Sequence, residues 1–145
     1  MAAEFLSKAP TVVLIVEDDA LLRMCAAEIV EEAGFAVIEA ADADAAIALL
    51  ESRADIALLL TDIDMPGSMN GLKLAHAVRN RWPRIKILVV SGHVRPQPSE
   101  LPRDSCFLAK PYQTAALVEE LRALATSFGN SDREPDTALS CFAQT

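Results

Sequence analysis

Three short runs of unbroken apolar sequence, at residues 11–16, 56–61 and 86–91, punctuate the chain, and each gives way to polar or turn residues. Continuous rather than alternating hydrophobicity means that both faces of a strand are covered, as in a parallel sheet. Two weaker stretches complete a set of five: residues 36–40, after the turn residue Gly34, and residues 106–109, ending at Lys110-Pro111. Between the runs the period changes from strand to helix. Leu22, Cys25, Ile29 and Ala33 fall on one face of a helix that Asp19 caps and Gly34 ends. Asp42 caps a second helix over 43–51, and Asn70 precedes a third over 71–81, where Leu74 and Val78 stand four apart. The last begins near Gln113, with Leu117, Leu121, Leu124 and Phe128 at helical spacing.

Strand alternating with helix requires crossover connections, which place helices on both sides of a parallel sheet. The pattern therefore predicts a doubly wound five-stranded α/β fold. One stretch breaks the rhythm. Residues 93–105 hold Pro96, Pro98 and Pro102, each of which fixes φ and removes a backbone donor, so that connection is expected to be loop with at most one turn around 99–101. The expected organisation is an N-terminal extension over 1–10, one domain over 11–127 and a polar tail over 128–145.

Composition narrows the function classes. Of 145 residues, 52% are apolar and 23% charged, enough core material for one domain and too little charge for a disordered chain. Lys plus Arg number 13 against 21 Asp plus Glu, so the formal charge is 13 − 21 = −8. That balance opposes binding to a phosphate backbone, and nucleic acid is not an expected partner. No apolar run approaches the roughly 20 residues of a membrane span, and the first ten residues do not read as a secretion signal, so a cytoplasmic protein with no membrane partner is expected. Cys25, Cys106 and Cys141 form no close pair and read as reduced thiols.

The candidate chemistry lies at strand ends. Glu17, Asp18 and Asp19 follow the first strand, Asp62 and Asp64 the third, and Lys110 the fifth. In open α/β sheets ligands bind outside the carboxyl ends of the strands, so these charges are expected to meet. Carboxylates crowded in a partly desolvated cleft repel one another and call for positive charge. Magnesium suits, as a hard cation that takes oxygen ligands and bridges carboxylates to phosphate, and Lys110 adds a permanent charge. Zinc is not indicated, because His76 and His93 are isolated. Taken singly, Asp18 or Asp19 reads as a helix cap and Lys110 as a surface lysine. The joint pattern at three strand ends favours a site.

These residues resemble the receiver domains of two-component response regulators. The resemblance covers about residues 11–126 and rests on Val16-Glu17-Asp18-Asp19, Thr61-Asp62-Ile63-Asp64-Met65-Pro66-Gly67, Ser91-Gly92 and Lys110-Pro111-Tyr112. It implies a flavodoxin-like sheet of order 2-1-3-4-5, with the fourth helix region here shortened and proline-rich. It further implies that Asp62 is the phosphoacceptor for a phosphohistidine, and that Glu17, Asp18, Asp62 and the backbone carbonyl of Asp64 hold magnesium. By the same resemblance Ser91 and Lys110 bind phosphoryl oxygens, and Phe107 moves when Ser91 does. Asp64 and His93 occupy positions that tune phosphate loss, and Lys110-Pro111 matches a cis bond. The loop 66–71 is one residue longer than the family pattern and, with the proline-rich stretch, is similar to receivers paired with HWE-type sensor kinases. Arg23, Tyr112 and Gln113 would rim the kinase-docking face.

The implied partners are a sensor histidine kinase or a histidine phosphotransfer protein, plus an effector that the sequence does not identify, with the chain a monomer or weak dimer. Three roles stay open at this point: a stand-alone messenger, a phosphate relay or sink, and a receiver-like binding module that is never phosphorylated. A fourth comes from another class. Asp62-Ile63-Asp64 also resembles the Asp-x-Asp of magnesium-dependent phosphatases of the haloacid-dehalogenase type, although there the nucleophile follows the first strand.

Overall fold

Valine, isoleucine and leucine supply 16 of the 28 strand residues, and in a computed structural model, which describes residues 9–126, the five strands form one parallel sheet. The elements are β1 (Val12–Val16), α1 (Ala20–Glu32), β2 (Ala36–Ala40), α2 (Ala43–Ser52), β3 (Ile56–Asp62), α3 (Gly71–Arg81), β4 (Lys86–Ser91), β5 (Ser105–Ala109) and α4 (Thr114–Ala125). The strand order is β2-β1-β3-β4-β5. Register runs Val16 against Ala40 and Thr61, Asp62 against Val90, and Ser91 against Ala109, so the carboxyl ends of the strands finish level.

The caps are those the sequence proposes. Asp19 accepts from the backbone N–H of Leu21 and Leu22, Asp42 from Ala45 and Asn70 from Lys73, satisfying donors that a helix start leaves unpaired. Gly34 takes φ 104°, a left-handed geometry that releases the chain from α1 into β2. In the proline-rich connection a single 3-10 turn forms at Pro98–Glu100, one residue from the expected position. His76 Nε2 lies 2.7 Å from the Glu100 carbonyl and ties this turn to α3.

Two apolar layers flank the sheet. Leu14, Leu59, Ile87, Val89 and Phe107 face α2 and α3, whereas Val13, Ile15, Leu60, Leu88 and Leu108 face α1 and α4. The phase of α1 differs from the expected one. Ala26, Ala27 and Val30 are its buried residues, while Leu22 is 49% exposed and Cys25 is also exposed. Nine of its thirteen residues are apolar and form a broad arc, so period alone does not set which part of that arc turns inward. Its small alanines permit the closer approach to the sheet.

A second difference concerns sulfur. Cys106, expected as a reduced thiol, is disulfide-bonded, and Cys25 is free. Cys141, Phe128, and almost all of the expected extension and tail lie outside the described residues. Among the described residues no helix is long and apolar enough to cross a membrane.

Candidate functional site

Adjacent strands β1 and β3 end side by side, which brings Glu17 and Asp18 to Asp62. Ligand oxygens of the three all lie within 4.8 Å of one another. Lys110 arrives from β5, two strands away from β3, and its long side chain crosses the end of β4. Its ammonium sits 3.0 Å from Glu17 Oε1 and 3.5 Å from Asp62 Oδ1. Glu17 is held at both oxygens, since Oε2 accepts from the Asp19 N–H at 3.1 Å. Asp19 is thus the cap of α1, and the exposed Asp18 is the carboxylate left for a ligand.

Asp62 is 7% exposed, and its Oδ1 has no hydrogen-bond partner despite the nearby ammonium. Leaving a buried acceptor unmade costs about 1–3 kcal/mol. A buried carboxylate oxygen without a hydrogen bond, beside two more carboxylates, belongs to the donor set a hard divalent cation takes, and the residues present fit magnesium. Burial pushes the Asp62 carboxyl above the usual range. Lys110 opposes that rise, and the charges of Glu17 and Asp64 add to it. For Lys110 burial acts downward, but the Glu17 hydrogen bond and the charges of Asp62 and Glu17 outweigh it and raise its pKa. Burial likewise raises the Tyr112 phenol. A buried carboxylate of perturbed pKa against a fixed ammonium marks a functional cleft.

The remaining predicted residues divide. Ser91, 2% exposed, ends β4, and its hydroxyl donates to Asp64 Oδ2 at 3.0 Å while accepting from the N–H groups of His93 and Val94. Phe107 lies deeper on β5, 1% exposed in the core facing α2 and α3. His93 is exposed and meets this cluster through its backbone. The Lys110–Pro111 bond is cis. Tyr112, with Leu22, Cys25 and Ile29 of α1, lines a groove of about 310 Å³ whose floor includes Asp62 and Lys110. Gln113 is exposed next to it.

Two contributions go beyond the sequence reading: a bracing role for Arg23, which was expected only on the docking rim, and a close backbone approach at Gly71. Arg23 donates to the Glu17 carbonyl at 2.7 Å and pairs with Glu39 at 3.1 Å, bracing the acidic loop. A one-turn offset from Asp19 was the available hint. Gly71 donates to the Ile63 carbonyl at 2.9 Å, and a Cβ there would overlap the Asp62 carbonyl oxygen, so α3 starts hard against the end of β3. No periodicity reveals that approach.

Comparison with known proteins bears on this arrangement. The CpdR response regulator receiver protein of Brucella abortus is 34% identical over 116 residues, which are 77% of this chain and 94% of that protein. The chain spans only 12% to 25% of three longer curated relatives. Among solved structures, a response regulator receiver protein from Sinorhizobium medicae matches with TM-score 0.76 and 28% identity over 81% of this chain and 96% of that one. The response regulator TrrA of Thermotoga maritima, solved with Mg²⁺ and BeF, matches at TM-score 0.69 and 25% identity over 79% and 98% of the two chains. The response regulator receiver domain model matches residues 13–122, a span running from β1 through most of α4 and including every carboxylate and the lysine of the cleft. Sheet order, cleft and matched span agree, and the chain belongs to the response regulator receiver domain family.

Proposed function

We propose that this chain works as a single-domain response regulator that accepts a phosphoryl group on Asp62 from a phosphohistidine. A carboxylate oxygen of Asp62 attacks phosphorus, an O–P bond forms and the P–N bond breaks, and the departing imidazole takes up a proton. The observation that carries this reading is the buried Asp62 Oδ1, unbonded yet flanked by Glu17, Asp18 and the Lys110 ammonium. Glu17, Asp18, Asp62 and the Asp64 backbone carbonyl would hold magnesium, which when bound neutralises charge growing on the transferred group's oxygens. Lys110 pairs with one of those oxygens and Ser91 donates to another. Phe107 follows Ser91 as the chain switches. Asp64 and His93 set the lifetime of the acyl phosphate by controlling charge where water attacks.

The donor on this reading is a sensor histidine kinase, of HWE type on the strength of the 66–71 loop, or a histidine phosphotransfer protein. A helix of that donor docks over the groove beside α1, which Tyr112 lines, and reaches Arg23 and Gln113, the neighbours in sequence of Leu22 and Tyr112. Leu22, exposed and lining that groove, supplies apolar contact. The product is a monomer or weak dimer that signals to an effector or hands phosphate on.

Intact mass after incubation with magnesium and acetyl phosphate, or with a phosphorylated kinase, tests the reading. One added phosphoryl group is expected, lost without magnesium and in Asp62→Asn. Labelling that survives in Asp62→Asn, or none from any donor, overturns it.

A further inference from the structure

A serine hydroxyl has one hydrogen to give and two lone pairs to receive with. In Ser91 all three are committed. The hydrogen goes to Asp64 Oδ2 at 3.0 Å, and the oxygen accepts from the His93 N–H at 3.2 Å and the Val94 N–H at 2.9 Å. Asp64 is a carboxylate with nothing to donate back, so the direction of its bond is fixed. A phosphoryl oxygen on Asp62 can receive the Ser91 hydrogen only if Asp64 gives it up. We propose that Asp64 is a latch: its side chain competes with the phosphoryl group for the single Ser91 hydrogen, holding residues 91–94 in the unmodified arrangement and setting how strongly the chain must be modified before that segment turns.

Three features support the latch, which rests on the phosphoacceptor reading above. Asp64 is exposed while Ser91 is buried, so the carboxylate is the partner free to withdraw into water. Asp64 lies close enough to act on Asp62 through its charge, and phosphorylation, which takes Asp62 from about −1 to about −2, would add roughly one negative charge that repels it outward. Release also has a direct path outward. The same oxygen anchors the two amides that open the connection to β5, so turning the hydroxyl moves the start of the segment that carries the exposed Val94. Asp64 is thus a positioning residue that acts through Ser91.

The test is titration of the full chain with beryllofluoride and magnesium, followed by the backbone amide resonances of His93 and Val94, in the parent, Asp64→Ala, Asp64→Asn, Ser91→Ala and the Asp64→Ala/Ser91→Ala pair. Losing one charge-assisted competitor is expected to lower the half-saturating beryllofluoride about three- to tenfold in Asp64→Ala. The free His93 and Val94 resonances should also move part-way toward their bound positions. Asp64→Asn keeps an acceptor oxygen and should stay nearer the parent, and in the Ser91→Ala background the Asp64 substitution should add nothing. Equal gains from Asn and Ala that persist without Ser91 would mean simple charge repulsion and overturn the latch. So would a parent that responds while Asp64→Ala titrates identically. A parent with no response at any concentration overturns the phosphoacceptor reading and the latch together.

Discussion

Arg79, on α3, is 5% exposed and spends its guanidinium on backbone. It donates to the carbonyls of Pro83 and Ile85 at 2.9 and 2.8 Å and to those of Arg103 and Asp104 at 2.9 and 3.1 Å. Those carbonyls belong to the turns that lead into β4 and β5, and Asp104 takes φ 59° in the second of them. Burial lowers the Arg79 pKa, the Asp104 charge works against that and Arg103 adds to it, yet a planar fork of five donors serves all four acceptors with its charge intact. Arg79→Met would fill the volume and strand the carbonyls. The expected loss is about 2–4 kcal/mol of unfolding free energy, read as a lower urea midpoint. Arg79→Lys has three donors on a point charge and should recover only part of it. Because the staple lies at the amino ends of the strands, phosphoryl uptake per folded molecule should be unaffected.

At the scale of elements the sequence was legible wherever a local rule has one solution. Short runs rich in Val, Ile and Leu between turn residues read as buried strands, and Asp19, Asp42 and Asn70 sit where a helix needs an acceptor, so strands and helix starts fall within about two residues of expectation. The proline-rich connection was legible for the same reason. The inward face of α1 was not, because Leu22, Cys25 and Ile29 keep a helical period on a helix whose apolar arc also takes in Ala26 and Val30, and it is Ala26, Ala27 and Val30 that are buried. The cleft carboxylates were legible by position, whereas the bond from Ser91 to Asp64 depends on side-chain direction at two strand ends and leaves no mark in spacing. Gly71 shows the same limit and gives a prediction. Alanine is ordinarily the better helix residue, but here its methyl group would overlap the Asp62 carbonyl oxygen, a backbone atom with little freedom to move. Gly71→Ala should therefore cost about 1–3 kcal/mol, seen by denaturant unfolding. It should also slow phosphoryl uptake, since relief of the overlap shifts either α3 or the acceptor itself. A variant as stable and as reactive as the parent would show that α3 can slide away freely.

The molecule as a whole holds its cleft against its own charge. The chain carries −8 overall, and Asp62 is kept in a buried place where burial and the charges of Glu17 and Asp64 raise its pKa despite Lys110. A carboxyl whose folded pKa is raised contributes stability that is fully present below the ordinary carboxylate range and is lost as pH climbs through the folded value. Asp62→Asn stays neutral throughout and avoids that loss. In the absence of divalent ions the two chains should melt together at low pH. The variant should pull ahead as pH rises through and above the ordinary carboxylate range, read as a widening gap in melting temperature. Lys110→Ala should move the opposite way at pH 7, because it leaves Glu17 and Asp62 without their counter-charge. Magnesium supplies the check. A cation that binds only the folded cleft stabilises the parent by mass action, so millimolar magnesium should narrow or reverse the gap to Asp62→Asn, which offers it a poorer ligand. Differential scanning fluorimetry across pH, with and without magnesium, reads all of this. A gap that is flat with pH, or unmoved by the ion, would mean that the strain resides elsewhere than in the acidic cleft.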